Sequence, residues 1–261
     1  MRENKKKPEI LVSNDDGIDA PGLAILVRAL RRIGNVTVVA PDKQQSAVGH
    51  AITVNYPLRV NKFQKDASFF GYAVEGTPAD CVKLAVKALL RRKPDLLVSG
   101  INHGSNTAIS VIYSGTVSAA TEGTIFGIPS IAVSLSTYGP ADFRYAAKFA
   151  AKLARVVLRK GLARGTLLNV NVPPVAESEI RGVRVTRQGK AIWNDSFELR
   201  RDPGNKVYYW LTGGLEAVDT DPEFDEAAVR NRFVSVTPIH YDLTDYHLFE
   251  AMKRWRLEKL K

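Results

Sequence analysis

Two adjacent carboxylates, Asp15 and Asp16, stand in the string Ser13-Asn14-Asp15-Asp16-Gly17, directly after the apolar run Ile10 to Val12. Side by side beyond a buried strand, two carboxylates repel each other unless a proton or a cation relieves them. A hard metal ion would do so. Asn, Asp and Gly are also common turn formers, so the string in isolation reads equally as a turn. The turn reading weakens because oxygen donors reach the same sheet edge from two further strands. One strand leads through Pro41 and Asp42 to Ser46; another runs through Ser99 and Gly100 into Asn102, His103, Gly104, Ser105 and Asn106. In open α/β sheets, ligands bind beyond the carboxyl ends of the strands. Ser46 by itself reads as a loop serine and Asn102 as a turn or cap residue, so the convergence carries the reading.

The candidate set Asp15, Asp16, Ser46 and Asn102 is all oxygen, with no Cys or His at metal-ligand spacing. Such a set suits one Mg²⁺ or Mn²⁺ and argues against a tetrahedral zinc site. The histidines are scattered at positions 50, 103, 240 and 247. Only His103, inside a Gly-rich loop, is placed for acid-base work; the plain alternative is a solvent-facing loop histidine. From Ser99 to Thr116 the chain holds Gly100, Gly104 and Gly115, with Asn106, Ser114 and Thr116 just before a helical pattern. Small residues let backbone N–H groups approach an anion, and a helix start favours negative charge, so this run is a candidate phosphate cradle. It lacks the spacing of a Walker loop, and the first strand-helix turn lacks Gly-x-Gly-x-x-Gly, which argues against an ATPase or a dinucleotide enzyme.

The elements that must position these residues alternate short apolar runs with helical patterns, as parallel strands joined by crossovers do. Ile10 to Ser13, Val36 to Ala40, Asp95 to Ser99, Ile131 to Leu135 and Leu167 to Val172 read as strands. Helices are expected from about Pro21, after the Thr77 cap with Pro78 at the first position, from Thr116 to Ile125, and from Asp142 to Arg159. After Pro173 and Pro174 the pattern changes to alternating stretches, Val183 to Thr186 and Val207 to Leu211, which suggests a hairpin-rich appendage. Val234 to Thr237 reads as a strand returning to the sheet, and Tyr246 to Leu260 as a closing helix with Leu248, Phe249, Met252 and Trp255 on its apolar side. The expected organisation is an α/β core over residues 1–172, its mainly parallel sheet flanked by helices. A β-hairpin appendage, a return strand and a C-terminal oligomerisation helix follow over 173–261.

With 261 residues, 45% hydrophobic and 25% charged, the chain has the composition of an ordinary globular protein with a substantial core. No apolar run is long enough to cross a bilayer, and Met1 to Lys7 is a charged stub without an apolar segment behind it, so no membrane partner and a cytoplasmic location are expected. The single cysteine, Cys81, cannot form an internal disulfide and falls in an apolar helical pattern, which reads as a buried, inert thiol. A net charge of +10 invites a nucleic-acid reading. Much of it has a simpler cause, since Arg31, Arg32, Arg91, Arg92, Arg159 and Lys160 each close an apparent helix, where cations complement the dipole. Nucleic acid is not expected as the main substrate.

Beyond the residues already named, the sequence contains Ala20-Pro21-Gly22, Ala40-Pro41-Asp42, Gly76-Thr77-Pro78-Ala79-Asp80-Cys81, Ser99-Gly100-Ile101-Asn102, Tyr113-Ser114-Gly115-Thr116-Val117, Asn169-Val170-Asn171-Val172-Pro173, Val185-Thr186-Arg187-Gln188-Gly189 and Thr237-Pro238-Ile239-His240. In number and order these strings resemble the SurE (stationary-phase survival protein) family of 5′- and 3′-nucleotidases over almost the whole chain. The resemblance implies a Rossmann-like core with an extended β-hairpin appendage, homodimers or homotetramers built partly by swapping C-terminal segments, and hydrolysis of nucleoside 5′- and 3′-monophosphates, with short polyphosphate trimmed by some relatives. It places the family's metal ligands on Asp15, Asp16, Ser46 and Asn102, with Asp15 and Asp16 catalytic. Its phosphate- and substrate-contacting residues fall on Asn14, Asn106, Ser114, Gly115 and Thr116. Two departures bear on loop shape: Ala47 stands where a Gly often follows the serine, and Ala108 and Ser110 replace a Gly and an acidic residue. The expected activity is that of a divalent-metal-dependent phosphomonoesterase, a 5′-nucleotidase. The rivals are a short-chain exopolyphosphatase and a non-catalytic nucleotide- or RNA-binding regulator.

Overall fold

Runs that are apolar on both faces, alternating with helices that are apolar on one, lay down a sheet between two helical layers. In the computed structural model, which describes residues 6–216 and 220–260, the chain begins β1 (Glu9–Ser13), α1 (Pro21–Leu30), β2 (Asn35–Pro41), β3 (Val60–Lys65) and β4 (Ser68–Val74). It continues through α2 (Pro78–Leu84), β5 (Leu96–His103), α3 (Ser110–Tyr113), α4 (Gly115–Ile125), β6 (Ser130–Leu135), α5 (Arg144–Lys160) and β7 (Thr166–Val172). The remainder is β8 (Gly182–Val185), β9 (Ile192–Arg201), β10 (Val207–Glu216), α6 (Asp225–Arg230), β11 (Phe233–His240) and α7 (Tyr246–Met252). The first five residues of the expected charged stub lie outside the described residues.

Nine strands form one sheet in the order β3-β4-β2-β1-β5-β6-β7-β11-β8, while β9 and β10 pair only with each other. From β4 to β7 every neighbouring pair is parallel; the antiparallel pairs are β3 with β4 and β7 with β11. The chain places β2 on one side of β1 and β5 on the other, with Ser13 opposite Ser99. Strand order therefore reverses at β1, and the crevice beyond β1 and β5 is the place where such sheets bind ligands.

Strand alternation divides the core between the two faces. Ile10 and Val12 pack with Leu23, Leu26, Ala147 and Ala150 from α1 and α5, whereas Leu11 and Leu97 pack with Cys81, Val82, Ala119 and Ala120 from α2 and α4. Each fully buried large aliphatic contributes roughly 1.5–3 kcal/mol, which fixes the register of the central strands. The start of α2 is locked by a reciprocal cap: the Asp80 N–H donates to the Thr77 hydroxyl and the Asp80 carboxylate accepts from the Thr77 N–H.

The structure departs from the sequence reading in three elements. Val183 to Val185, read as part of the hairpin appendage, lies in the main sheet as β8, parallel to β11. The alternation of an edge strand and of a hairpin strand is the same, so the pattern cannot distinguish them. The closing helix ends at Met252; short 3₁₀ turns follow at Lys253–Trp255 and Leu257–Lys259, separated by Arg256 in a left-handed conformation. The edge hairpin β3–β4 was not expected, because β3 is polar at Asn61, Lys62, Gln64 and Lys65 and gives no apolar run.

Candidate active site

Beyond β1 and β5 lies an open cleft of about 570 Å³, lined at its inner end by Asp15, Asp16, Ser46 and Asn102. The three strand ends named from the sequence thus meet in space. Each of the four side chains is oriented by one hydrogen bond and keeps an oxygen for a ligand. Thr116 donates its hydroxyl to Oδ1 of Asp15, and the His103 N–H donates to Oδ2 of Asp16 at 3.0 Å. Asn102 donates Nδ2 to the Gly104 carbonyl at 2.7 Å, which leaves its Oδ1 as the acceptor, and Ser46 Oγ accepts from Gln44 Nε2 at 2.9 Å.

Burial is the main reason the Asp15 carboxyl is held up at about 6, with the charge of Asp16 adding to it and the Thr116 hydroxyl acting against it. Asp16 is also pushed up by burial, against the His103 N–H. Among the described residues no Lys or Arg lines the cleft to offset these shifts, and the His103 ring acts only against that of Asp16. The pair therefore sits in the environment that a cation would relieve. Two carboxylates with neutral oxygens fit a hard divalent ion that keeps part of its water shell. Among the described residues no group of three or more His, Cys, Asp or Glu side chains forms a nitrogen- or sulfur-based alternative.

Ser46 reaches the cleft on a long loop between β2 and β3, and other motifs pin that loop. Gln45 N–H donates to the Asp15 carbonyl at 2.7 Å, and Gly49 N–H to the Tyr113 carbonyl at 3.0 Å. Asp80, besides capping α2, accepts from Thr53 N–H at 2.9 Å and Thr53 Oγ1 at 2.6 Å. His50 lies 2.9 Å from buried Glu122, which Lys83 also contacts at 2.6 Å. Burial works to raise the Glu122 carboxyl, but these two hydrogen-bond partners bring it below the ordinary glutamate value. Ala47, next to Ser46, has φ of 56°, and Ala108 has φ of 49°. Both positions therefore have the left-handed backbone that glycine adopts without cost, which accounts for the Gly that the resemblance puts at each.

The residues expected to touch phosphate divide into two groups. Asn106 and Ser114 line the cleft, whereas Asn14, Gly115 and Thr116 lie beneath it. Thr116 is fully buried against Asp15, and a Cβ at Gly115 would come within 2.7 Å of the Asp15 Cβ, so the start of α4 is pressed onto the first carboxylate. Ser114 caps α4, accepting from Val117 N–H at 3.1 Å, and its hydroxyl proton remains available to the cleft. Asn14 donates Nδ2 to the Gly17 carbonyl at 2.8 Å and shapes the turn that carries the acids.

Sequence reasoning missed what holds Asn106. Its N–H donates to Asn171 Oδ1 at 2.8 Å, and its carbonyl accepts from Asn169 Nδ2 at 2.8 Å and Asn171 Nδ2 at 3.0 Å. Two fully buried carboxamides on β7 thus treat the Asn106 backbone as an added strand residue, while Asn106 Nδ2 bonds Ser134 Oγ at 2.8 Å. Polar side chains in a central strand were the available signal, since such residues stay buried only when hydrogen-bonded. His103 lines the cleft, and its Nε2 lies 2.8 Å from the Gly139 carbonyl. A carbonyl only accepts, so Nε2 carries the proton and Nδ1 is the remaining acceptor. The outer wall, also unforeseen, consists of Tyr113, Tyr138, Trp193, Asp195 and Leu211, the last three from the base of the β9–β10 hairpin.

A family model described as Survival protein SurE matches residues 10–195. A Chlorobaculum tepidum protein named 5′-nucleotidase SurE is 51% identical, covering 99% of this chain and 98% of its own length. Its namesake in Chlorobium luteolum is 49% identical over 99% of this chain and all of the relative. Among solved structures, the SurE protein from Aquifex aeolicus superposes with a TM-score of 0.83 at 42% identity, covering 95% of this chain and 99% of that one. Match length, identity and shared architecture agree, and the chain belongs to the SurE survival-protein family.

Proposed function

We propose that the protein is a divalent-metal-dependent nucleotidase that hydrolyses nucleoside 5′- and 3′-monophosphates to nucleoside and phosphate. The single observation that carries this reading is the cleft itself: carboxylates and neutral oxygens converge at a switch point with no Lys or Arg among the described residues to meet a phosphate. A phosphate dianion facing Asp15 and Asp16 needs a cation between them. Asp15, Asp16, Ser46 and Asn102 would hold one Mg²⁺ or Mn²⁺ per subunit. When bound, such an ion supplies positive charge to the phosphoryl oxygens and acidity to an attacking water.

The chain's own groups do the rest. Thr116 and the His103 N–H fix the two carboxylates, one of which orients the nucleophilic water. Asn106, clamped by β7, and the Ser114 hydroxyl hold the phosphate, while Gly115 and Thr116 act through Asp15. His103 Nδ1 is the base available at the cleft wall. The Lys and Arg behind the net charge of +10 are absent from the described cleft lining and raise the local concentration of anionic substrates around it.

The exposed apolar residues of α7 and of the hairpin support a homodimer or homotetramer. The test is a phosphate-release assay on nucleoside monophosphates and short polyphosphate, with Mg²⁺, with Mn²⁺ and with chelator. The reading predicts release that the chelator abolishes and either metal restores. Stoichiometric nucleotide uptake without release would make the protein a binding regulator, and release from polyphosphate alone an exopolyphosphatase.

A further inference from the structure

Trp193 lines the same cleft as the paired acids and is the second residue of β9, in the hairpin that pairs with no other strand among the described residues. Its indole N–H donates to Ser110 Oγ at 3.2 Å, across 83 residues of sequence. That bond satisfies the ring's only polar atom and fixes the half-buried indole from two elements, β9 and α3. Tyr113 and Tyr138, the other aromatic residues of the wall, are 53% and 74% exposed and have no comparable anchor.

The wall around Trp193 is unsuited to phosphate. Asp195 contributes a negative charge, Leu211 is apolar, and Gly213, opposite Asp195 in the ladder, adds no side chain. A phosphate is therefore directed to the inner end, and what projects toward the hairpin is the other end of the substrate. α3 spans the interval: Ser110, which holds the indole, precedes Ser114, which lines the phosphate end, by four residues, a helical rise of about 6 Å. A pentose bridges such an interval between a phosphate and a planar base.

We infer that Trp193, anchored by Ser110, is the stacking platform for the nucleobase, so that the hairpin completes the substrate site. This rests on the nucleotidase reading and extends it. Stacking uses the π face that every base possesses and is tolerant of base identity. The enzyme then accepts purine and pyrimidine nucleotides alike and favours purines through their larger rings.

Two measurements with the Mg²⁺-loaded protein test the inference. Steady-state hydrolysis of adenosine 5′-monophosphate is compared with that of ribose 5-phosphate, which lacks the base, and adenosine binding is followed by calorimetry. Trp193→Ala should raise KM for the nucleotide and weaken adenosine binding by roughly 5- to 100-fold, the range found for losing one aromatic–base stack. Its kcat/KM on ribose 5-phosphate should stay at wild type, with the melting temperature lowered only modestly by loss of the Ser110 bond. Trp193→Phe, which keeps a ring, should recover most of the lost affinity. Equal losses on both esters, or wild-type KM and adenosine affinity in Trp193→Ala, would overturn the inference while leaving the nucleotidase reading intact. Adenosine binding that depends on Trp193 in a protein releasing no phosphate would support the platform and defeat the nucleotidase reading.

Discussion

The inner end of the cleft and the C-terminal third of the chain use polar and apolar side chains in opposite ways. Around Asp15 and Asn106 most groups are buried and the key ones have named partners, Thr116 on Asp15, two asparagines on the Asn106 backbone and Asp80 on the Ser46 loop, while Ser13 Oγ, Asn14 Oδ1, Ser99 Oγ and Asn169 Oδ1 have no partner among the described residues. On the hairpin and after β11, Trp210 is 58% exposed, Trp255 59% and Leu243 93%. The first region is specified by its own chain and stores an electrostatic cost, the paired acids. The second stores a hydrophobic one that only another surface can remove. On the proposed reading a ligand would complete the former and a second copy of the chain the latter.

The largest effect on this contrast is expected at Asn171. Asn171→Ala removes the acceptor for the buried Asn106 N–H and one of two donors to its carbonyl. An orphaned buried N–H and the small void beside it cost about 3 kcal/mol, read as a lower denaturant midpoint, and turnover should fall with the loss of a fixed Asn106. Wild-type stability and rate would show that the clamp is incidental.

The paired acids make a second difference of similar size. Metal-free Asp15 titrates at about 6, against 3.8 for an unperturbed aspartate. Between those values the folded state retains a proton the unfolded chain has lost. Stability of the chelator-treated protein therefore falls as pH rises from about 4 to 6, by up to roughly 3 kcal/mol. Glu122 shifts the opposite way, so the quantity to measure is the melting temperature of wild type minus that of Asp15→Asn against pH. A difference that does not become more negative across this window would show that Asp15 is not held in the buried state described.

In the outer region, the exposed faces of Leu248, Phe249 and Trp255 should be covered by a partner subunit. Light scattering should give a dimer or tetramer, and Phe249→Asp with Trp255→Asp should raise its dissociation constant at least about tenfold, a change of 1.4 kcal/mol. A wild-type monomer at working concentration would assign that surface another role. The smallest effect is expected at Ala47, where φ of 56° penalises a Cβ. Ala47→Gly should stabilise the protein by up to about 1 kcal/mol if relief of the left-handed strain exceeds the added chain entropy, and an unchanged or lower melting temperature would show that it does not.

The central strands were legible because parallel strands buried on both faces leave uninterrupted runs such as Ile10 to Val12, and α5 because its alanine face repeats at helical spacing. The acids were legible because they follow such a run directly. What escaped is non-local or lacks a periodic signal. Asn171 meets Asn106 across 65 residues, and Trp193 meets Ser110 across 83, so neither partner is implied by its neighbours. The polar strand β3 relies on the antiparallel partner that follows it, and the closing helix ends at Met252, with a left-handed turn at Arg256, without a Gly or Pro to mark either. The phosphate-loop reading placed Gly115 and Thr116 near the chemistry by sequence; their contacts are with the carboxylate that serves it.

The central claim is that Asp15 and Asp16 form a cation site rather than a turn. It is tested most directly by phosphate release from nucleoside monophosphates by Asp15→Asn and Asp16→Asn in saturating Mg²⁺, with the metal-free melting temperature measured on the same samples. Each substitution conserves shape, removes half of the charge that binds the ion, and relieves the repulsion within the pair. The account predicts that each loses most of its turnover, on the order of a hundredfold or more, with a metal-free melting temperature equal to or above wild type. Near-normal rates in both variants would contradict it, because a turn tolerates Asn as well as Asp.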